Sequence, residues 1–138
     1  MMVQFGTQEW LDEYRRRINA SPAYRAAAAT WEGAVAYLFE AEEGRSPRTL
    51  CAIIDLWRGD CRSARIGTPE EAAKAPFLIR APYSRWKQIL RGELEPIKGM
   101  MQGKLLLRGD PRAIVRHLRA SHELVTIAAD IPTEFPDE

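Results

Sequence analysis

The sequence predicts a single domain in which helices cover a five-stranded sheet. Three observations lead to this fold class. Apolar residues recur at helical spacing near both ends of the chain, short β-branched and aromatic segments fill its middle, and glycine or proline separates most segments. The 138 residues suffice for one hydrophobic core. We expect leading helices over residues 1–29, a core over 30–120, and a helix end and tail over 121–138.

Two helices are predicted within the leading segment. Thr7 is a candidate N-cap for the first of them. The apolar residues that follow it at helical spacing are Trp10, Leu11, Tyr14 and Ile18. Ser21 and Pro22 supply a cap and a first-turn proline for the second helix, which contains a run of alanines. Because alanine is small, we expect this helix to pack closely on a neighbour.

Five segments in the middle of the chain are predicted strands; all are short, and all but the polar third segment are rich in β-branched, aromatic or leucine residues. They are residues 31–39, 49–57, 61–66, 77–81 and 105–107. The second is the most continuously apolar and is expected at the centre of the sheet. The third carries Arg62 and Arg65, which suit an edge strand. Residues 70–75 are polar and alanine-rich, and we expect a solvated loop there.

Three more helices are predicted after the fourth strand, at residues 82–92, 96–103 and 111–129. Each begins at a proline, a residue that is favoured in the first turn of a helix. The predicted apolar face of the last helix carries Ile114, Leu118, Ser121, Val125 and Ala128. Ile127 lies outside this face and is expected to contact the tail at 132–135. The segment 92–118 therefore combines two helices and a strand, and we expect it to close the sheet over an apolar space.

Composition excludes several classes of function. The net charge of +1 argues against a nucleic-acid binder, which normally carries a strongly basic surface. No stretch of 18 apolar residues occurs and the first residues lack an apolar leader, so we expect a soluble cytoplasmic protein without stable membrane insertion. Cys51 and Cys61 are expected to be reduced core thiols. We expect no cofactor and no metal ion.

No catalytic set emerges from the candidate residues. His117 and His122 are five positions apart, so on a helix they point about 140° away from each other and cannot share a metal ion. Cys51 has no basic partner in the sequence, and its apolar neighbours favour a packed thiol. Asp55 interrupts an apolar strand and is expected to pair with an arginine. The prediction is a protein that is not an enzyme.

The segment 92–110 carries a family resemblance. Residues 92–96 are Gly-Glu-Leu-Glu-Pro, residues 100–105 are Met-Met-Gln-Gly-Lys-Leu, and residues 107–110 are Leu-Arg-Gly-Asp. This pattern resembles the most characteristic segment of the sterol carrier protein type 2 family, in which a glycine-x-apolar-x-proline turn precedes an apolar-glutamine-glycine-lysine-leucine strand. The order of the elements over residues 30–120 is also similar, and the flanking helices resemble those of stand-alone prokaryotic members.

The resemblance implies an α+β fold with a mostly antiparallel five-stranded sheet, and an apolar tunnel between sheet and helices. It also implies binding, and intracellular transfer, of a fatty acid, a fatty acyl-CoA or another lipid without catalysis. The residues expected to contact this ligand are Trp86, Met100, Met101, Gln102, Leu105, Ile114, Leu118 and Val125. We expect a monomer or weak dimer, with an enzyme as a further candidate partner.

Three alternatives remain open. The residues alone favour a filled core over a cavity, because protein interiors pack densely; the resemblance reverses that preference. The domain could instead have a closed core and be an accessory or interaction subunit of an acyl-CoA or lipid-metabolising enzyme, with Arg112, Arg116 and Arg119 as its contact surface. The alternative for these three arginines is a solvated surface without a partner. A small enzyme that uses His117, His122 or Asp55 has the least support.

Overall fold

A central sheet, a two-stranded terminal sheet and seven helices make up the computed structural model, which describes residues 2–138. The helices are α1 (Gln8–Asn19), α2 (Pro22–Ala27), α3 (Pro69–Lys74), α4 (Tyr83–Leu90), α5 (Pro96–Met101), α6 (Pro111–Arg116) and α7 (Leu118–Asp130). The strands are β1 (Val3–Gln4), β2 (Glu32–Glu40), β3 (Leu50–Trp57), β4 (Asp60–Ile66), β5 (Phe77–Pro82), β6 (Leu106–Arg108) and β7 (Thr133–Glu134). Within these residues, none of the helices is both long and apolar enough to span a bilayer.

The central sheet has the strand order β4-β3-β2-β5-β6. Neighbouring strands are antiparallel except for β2 and β5, which run parallel. The five predicted strands are therefore confirmed, and so are the mostly antiparallel arrangement and the edge position of β4. The strand at the centre is β2, although the apolar content of β3 predicts that place for β3.

The caps predicted for the two leading helices are present. The Thr7 side chain accepts a hydrogen bond from the backbone N–H of Trp10 (3.2 Å), and Ser21 does the same for Tyr24 (3.1 Å). These bonds satisfy backbone donors that the first turn of a helix leaves without partners. The sequence predicts these helix starts correctly, because a capping side chain and the N–H group that it binds lie within a few residues of each other.

The expectation of a loop at residues 70–75 is wrong, because α3 occupies this segment. Thr68 and Glu71 form a capping box, in which each side chain accepts a hydrogen bond from the other's backbone N–H. Ala72 and Ala75 pack against the second face of the sheet, in a small cluster with Cys51 and Ile53. The helix presents only small residues to the sheet, which is why its periodicity is weak in the sequence.

The predicted single helix over 111–129 is wrong in one respect: it is divided at His117 into α6 and α7. In a continuous helix the His117 N–H would donate to the carbonyl of Ala113. Instead the ring Nδ1 of His117 donates to that carbonyl (2.9 Å), and the backbone N–H donates to Ile114 O (3.0 Å). The His117 side chain therefore replaces one helical hydrogen bond and breaks the helix there.

The two ends of the described chain pair with each other, a feature that the sequence analysis did not predict. β1 and β7 run parallel, with Val3 opposite Thr133. The ring of Phe5 lies next to that of Phe135, with centroids 5.9 Å apart. Ile127 and Phe135 are both buried in the main core, and contact between Ile127 and the tail stays a prediction.

The segment 92–118 closes one side of the core, as predicted. Leu105 is almost fully buried, and Gly99 lies so close to it that a Cβ would approach Leu105 Cδ1 to 3.1 Å. Arg108 extends to the opposite face of the sheet, where it donates to the carbonyls of Ala72 (2.9 Å) and Ala75 (3.0 Å) of α3. The segment therefore fastens helices on both faces of the sheet.

Candidate ligand cavity

An apolar cavity of about 120 Å³ lies between the sheet and the helices. One water molecule needs roughly 10–15 Å³, so this space is far larger than a packing defect. Val35, Tyr37 and Phe39 of β2 all reach it, because alternate residues of a strand point to the same face. Helices α1, α2, α4, α5 and α7 supply most of the other wall residues, and no lysine, arginine, aspartate or glutamate is among the lining residues of the described chain.

Five of the eight predicted ligand contacts line this cavity. They are Trp86, Met100, Leu105, Ile114 and Val125. Met101, Gln102 and Leu118 do not line it. Met101 follows Met100 on α5 and points about 100° away from it, which leaves Met101 84% exposed. Leu118 is displaced by the break at His117 and is 44% exposed. Contact between a ligand and these three outer residues stays a prediction.

A groove between α5 and α7 adjoins the cavity. Leu118 and His122 lie on one side of the groove and Glu95 on the other. Four residues line both the groove and the cavity: Pro96, Ile97, Ser121 and Val125. The cavity is therefore separated from the outer surface by a single layer of side chains at this place.

Trp86 forms a rigid part of the cavity wall. Its Nε1 donates to the carbonyls of Leu38 (2.9 Å) and Ala81 (3.1 Å), so its polar atom is used by the backbone. The indole meets the rings of Tyr37 and Phe39 edge to face, with centroids 5.4 and 5.1 Å apart. This geometry is favourable for aromatic pairs and holds the apolar side of Trp86 towards the cavity.

Three tyrosines that the sequence analysis did not select also line the cavity: Tyr14, Tyr24 and Tyr37. Burial raises the pKa of each of them, so all three hydroxyls stay protonated. The hydroxyl of Tyr14 donates to the carbonyl of Leu124 in α7 (3.1 Å). Tyr14 could have been found from its place on the apolar face of α1, but that pattern does not separate a cavity wall from an ordinary core.

Sequence comparison identifies the protein's relatives. The chain matches the SCP-2 sterol transfer family over residues 11–118. It belongs to this family. No curated protein sequence matches the chain.

Solved structures of SCP-2 relatives share the whole fold. The crystal structure of a sterol carrier protein 2 is 36% identical, with a TM-score of 0.83, and the match covers 93% of this chain and 99% of that one. A possible sterol carrier protein from Thermus thermophilus is 34% identical, with a TM-score of 0.85 and coverage of 98% and 94%. A palmitated sterol carrier protein 2-like 2 from Aedes aegypti has the same fold at 14% identity, with a TM-score of 0.56 and coverage of 91% and 96%. The predicted α+β fold of this family is confirmed.

The cysteines and Asp55 of this SCP-2 family member have the structural surroundings that the sequence predicted. Cys51 and Cys61 are free and buried. Burial raises the pKa of the Cys51 thiol, and it raises the pKa of Cys61 to about 12. Both thiols are therefore protonated and poor nucleophiles at neutral pH. Asp55 accepts two hydrogen bonds of 3.1 Å from Arg62 on the neighbouring strand.

The two histidines occupy different places. His117 lines the cavity, where its ring meets Trp31 edge to face and its Nε2 accepts from the Thr30 hydroxyl (2.9 Å). His122 lies in the outer groove. Within residues 2–138, no group of three or more His, Cys, Asp or Glu residues is arranged to hold a metal ion.

Proposed function

We propose that this SCP-2 family protein binds a fatty acid, a fatty acyl-CoA or another lipid with its hydrocarbon part in the apolar cavity. The observation that carries the proposal is a cavity of about 120 Å³ whose lining contains no lysine, arginine, aspartate or glutamate among the described residues. Such a space excludes ions and favours hydrocarbon, because burial of an unpaired charge in an apolar site is costly. Membership of a sterol transfer family and the palmitated relative of the same fold agree with a lipid ligand.

The energetics suit reversible carriage. Burial of a sixteen-carbon chain at about 0.8 kcal/mol per methylene gives a gross gain above roughly 10 kcal/mol. Immobilisation and ordering of the ligand subtract several kcal/mol, which leaves micromolar to nanomolar dissociation constants. Affinity in this range allows a carrier to release its cargo without chemical work.

A long chain requires the cavity to expand. Pockets for drug-sized ligands measure about 300–1,000 Å³, several times the volume observed here. The thin wall at Pro96, Ile97, Ser121 and Val125 is the part that can yield most easily, since groove and cavity meet there. In the proposed complex Trp86, Met100, Leu105, Ile114 and Val125 contact the chain inside. Leu118 lines the groove and is reached only by a part of the ligand that extends through it, whereas Met101 and Gln102 line neither space.

Transport without catalysis is part of the proposal. Support comes from the protonated thiols of Cys51 and Cys61 and from the pairing of Asp55 with Arg62, which leave these groups without a chemical role. Two free cysteines also agree with a reducing compartment, and we place the function in the cytoplasm.

The test is displacement of a fluorescent fatty acid, together with native mass spectrometry of freshly purified protein. Met100→Glu places a charge in the cavity wall, whereas Met101→Glu places it on the exposed neighbour. We expect Met100→Glu to weaken binding at least tenfold and Met101→Glu to leave it unchanged, with both variants checked for folding by thermal melting. Failure of micromolar fatty acid to displace the probe from the unchanged protein would overturn the proposal.

A second candidate function is that of an interaction subunit of a lipid-metabolising enzyme. In this role the chain would bind the enzyme as a monomer or weak dimer. The observation in its favour is that Arg116 and Arg119 are exposed and have no carboxylate within 4.0 Å among the residues described, whereas Arg112 pairs with Asp110. If this surface contacts an enzyme, Arg116→Glu combined with Arg119→Glu removes the association in a pull-down assay. The same change should leave fatty-acid displacement unaltered.

A further inference from the structure

Two tyrosine hydroxyls in the cavity have no hydrogen-bond partner. Of the four tyrosines in the chain, Tyr14 donates to Leu124 O and Tyr83 donates to Asp137 Oδ1 (2.8 Å). Tyr24 on α2 and Tyr37 on β2 make no side-chain hydrogen bond with any residue in the range 2–138, and both line the cavity. The hydroxyls of Tyr14 and Tyr83 therefore bind other parts of the protein, whereas those of Tyr24 and Tyr37 are left without a hydrogen-bond partner.

The unused hydroxyls face open space inside the protein. Across the described chain, no fully sealed side-chain nitrogen or oxygen lacks a hydrogen-bond partner, so the oxygens of Tyr24 and Tyr37 both contact accessible volume. Tyr24 is only 1% exposed, and the volume that it borders is the cavity rather than the outer surface. Burial raises the pKa of both groups, and Tyr37 is close enough for its charged form to oppose ionisation of Tyr24.

A hydroxyl in an apolar site without a partner lowers stability, because it loses its hydrogen bonds to water. The remainder of the lining offers hydrocarbon around these two groups. A ligand oxygen that reaches these hydroxyls would restore the lost hydrogen bonds.

We propose that Tyr24 and Tyr37 bind an uncharged oxygen of the lipid, such as an alcohol hydroxyl, inside the cavity. This inference rests on the proposed lipid-binding function and specifies the ligand class. A phenol both donates and accepts hydrogen bonds, so two phenols can satisfy an alcohol completely. A carboxylate or phosphate is disfavoured at this position, since no lysine or arginine lines the cavity to offset its loss of hydration.

The cavity should therefore prefer a lipid whose small, neutral polar end enters the cavity before the hydrocarbon chain. Lipids with a bulky or charged head, such as an acyl-CoA, would have to leave that head outside and could not use the two tyrosines. The preferred ligand class is therefore a single-chain lipid with one uncharged oxygen at its end.

The experiment compares 1-tetradecanol, tetradecane and tetradecanoate at pH 8 as competitors of a fluorescent hydrophobic probe. The proteins are the unchanged chain, Tyr24→Phe, Tyr37→Phe, the double variant, and Tyr14→Phe as a matched control that also lines the cavity. Because one hydrogen bond contributes about fivefold in affinity, we expect the double variant to bind tetradecanol at least tenfold more weakly. Its affinity for tetradecane should be unchanged, and Tyr14→Phe should keep the preference for the alcohol.

Thermal melting supplies a readout without ligand. Removal of an unpaired hydroxyl should leave the melting temperature of Tyr24→Phe and Tyr37→Phe equal or higher, whereas Tyr14→Phe loses a hydrogen bond and should melt lower. Equal tetradecanol affinity of the double variant and the unchanged chain would overturn the inference while the lipid-binding function stands. Absence of binding by every competitor to the unchanged chain would overturn the function as well.

Discussion

The cavity makes a quantitative prediction about stability. A void costs roughly 24 cal/mol per Å³, so the cavity of about 120 Å³ lowers the stability of the empty protein by about 3 kcal/mol. Ala120 lies in the cavity wall on α7, and Ala120→Leu directs three more carbon atoms into the space. At about 0.8 kcal/mol per carbon, less about 0.5–1 kcal/mol for ordering the new side chain, stability should rise by about 1.5 kcal/mol.

Chemical denaturation without ligand measures this change, and the melting temperature should rise by about 5 °C. The affinity of the Ala120→Leu variant for fatty acid, measured by displacement of the fluorescent probe, should fall because the added side chain occupies ligand space. Ala129→Leu is the matched control, since Ala129 is exposed on the same helix and should alter neither quantity by much. Ala128→Leu repeats the test at a second wall position. If both wall variants are less stable than the unchanged protein, the cavity is not free space and the reasoning fails.

Two further predictions concern the segments that close the core. Leu105→Ala should lower the free energy of unfolding by about 2–5 kcal/mol in a urea titration, because Leu105 is 2% exposed. Leu106 is 46% exposed and should tolerate the same change within about 0.5 kcal/mol. Equal losses at the two positions would contradict the observed burial. Burial opposes ionisation of Asp137, but hydrogen bonds from Lys87 and Tyr83 outweigh it and hold the pKa of Asp137 below its usual range. A lowered folded-state pKa stabilises at neutral pH, and this stability is lost as the pH falls below about 4. Asp137→Asn should therefore lower the free energy of unfolding by about 1–3 kcal/mol at pH 6. In thermal melts between pH 2 and 6, the melting temperature of this variant should depend less steeply on pH than that of the unchanged protein. An unchanged pH dependence would refute the pairing of Asp137 with Lys87 and Tyr83.

Local signals in the sequence predicted most of the helices and strands. Thr7, Ser21 and Asp110 mark helix starts correctly, because a cap acts on backbone groups only two or three residues away. The break at His117 was not predictable in this way. The ring of His117 is held by Thr30, which lies far away in the sequence, while it takes the carbonyl of Ala113 from the helix.

The cavity was harder to predict than the fold. Periodicity identifies which residues face inward, and Leu105, Ile114 and Val125 were selected correctly as inward-facing. It does not say whether the inward space is filled, because a cavity wall and a packed core use the same apolar residues. Tyr24 and Tyr37 were overlooked for that reason: the lack of a partner for a hydroxyl depends on distant side chains and not on the local pattern.

The pairing of β1 with β7 has a consequence for biosynthesis. Phe5 lines the cavity and is synthesised before Phe135, which lies against its ring but far away along the chain. Until then the apolar surface around Phe5 has no cover from the tail, and contacts between such distant segments form slowly. The nascent chain therefore exposes the interior of its future cavity until Phe135 has been added, and chaperones or free lipid can reach that surface before β1 and β7 pair.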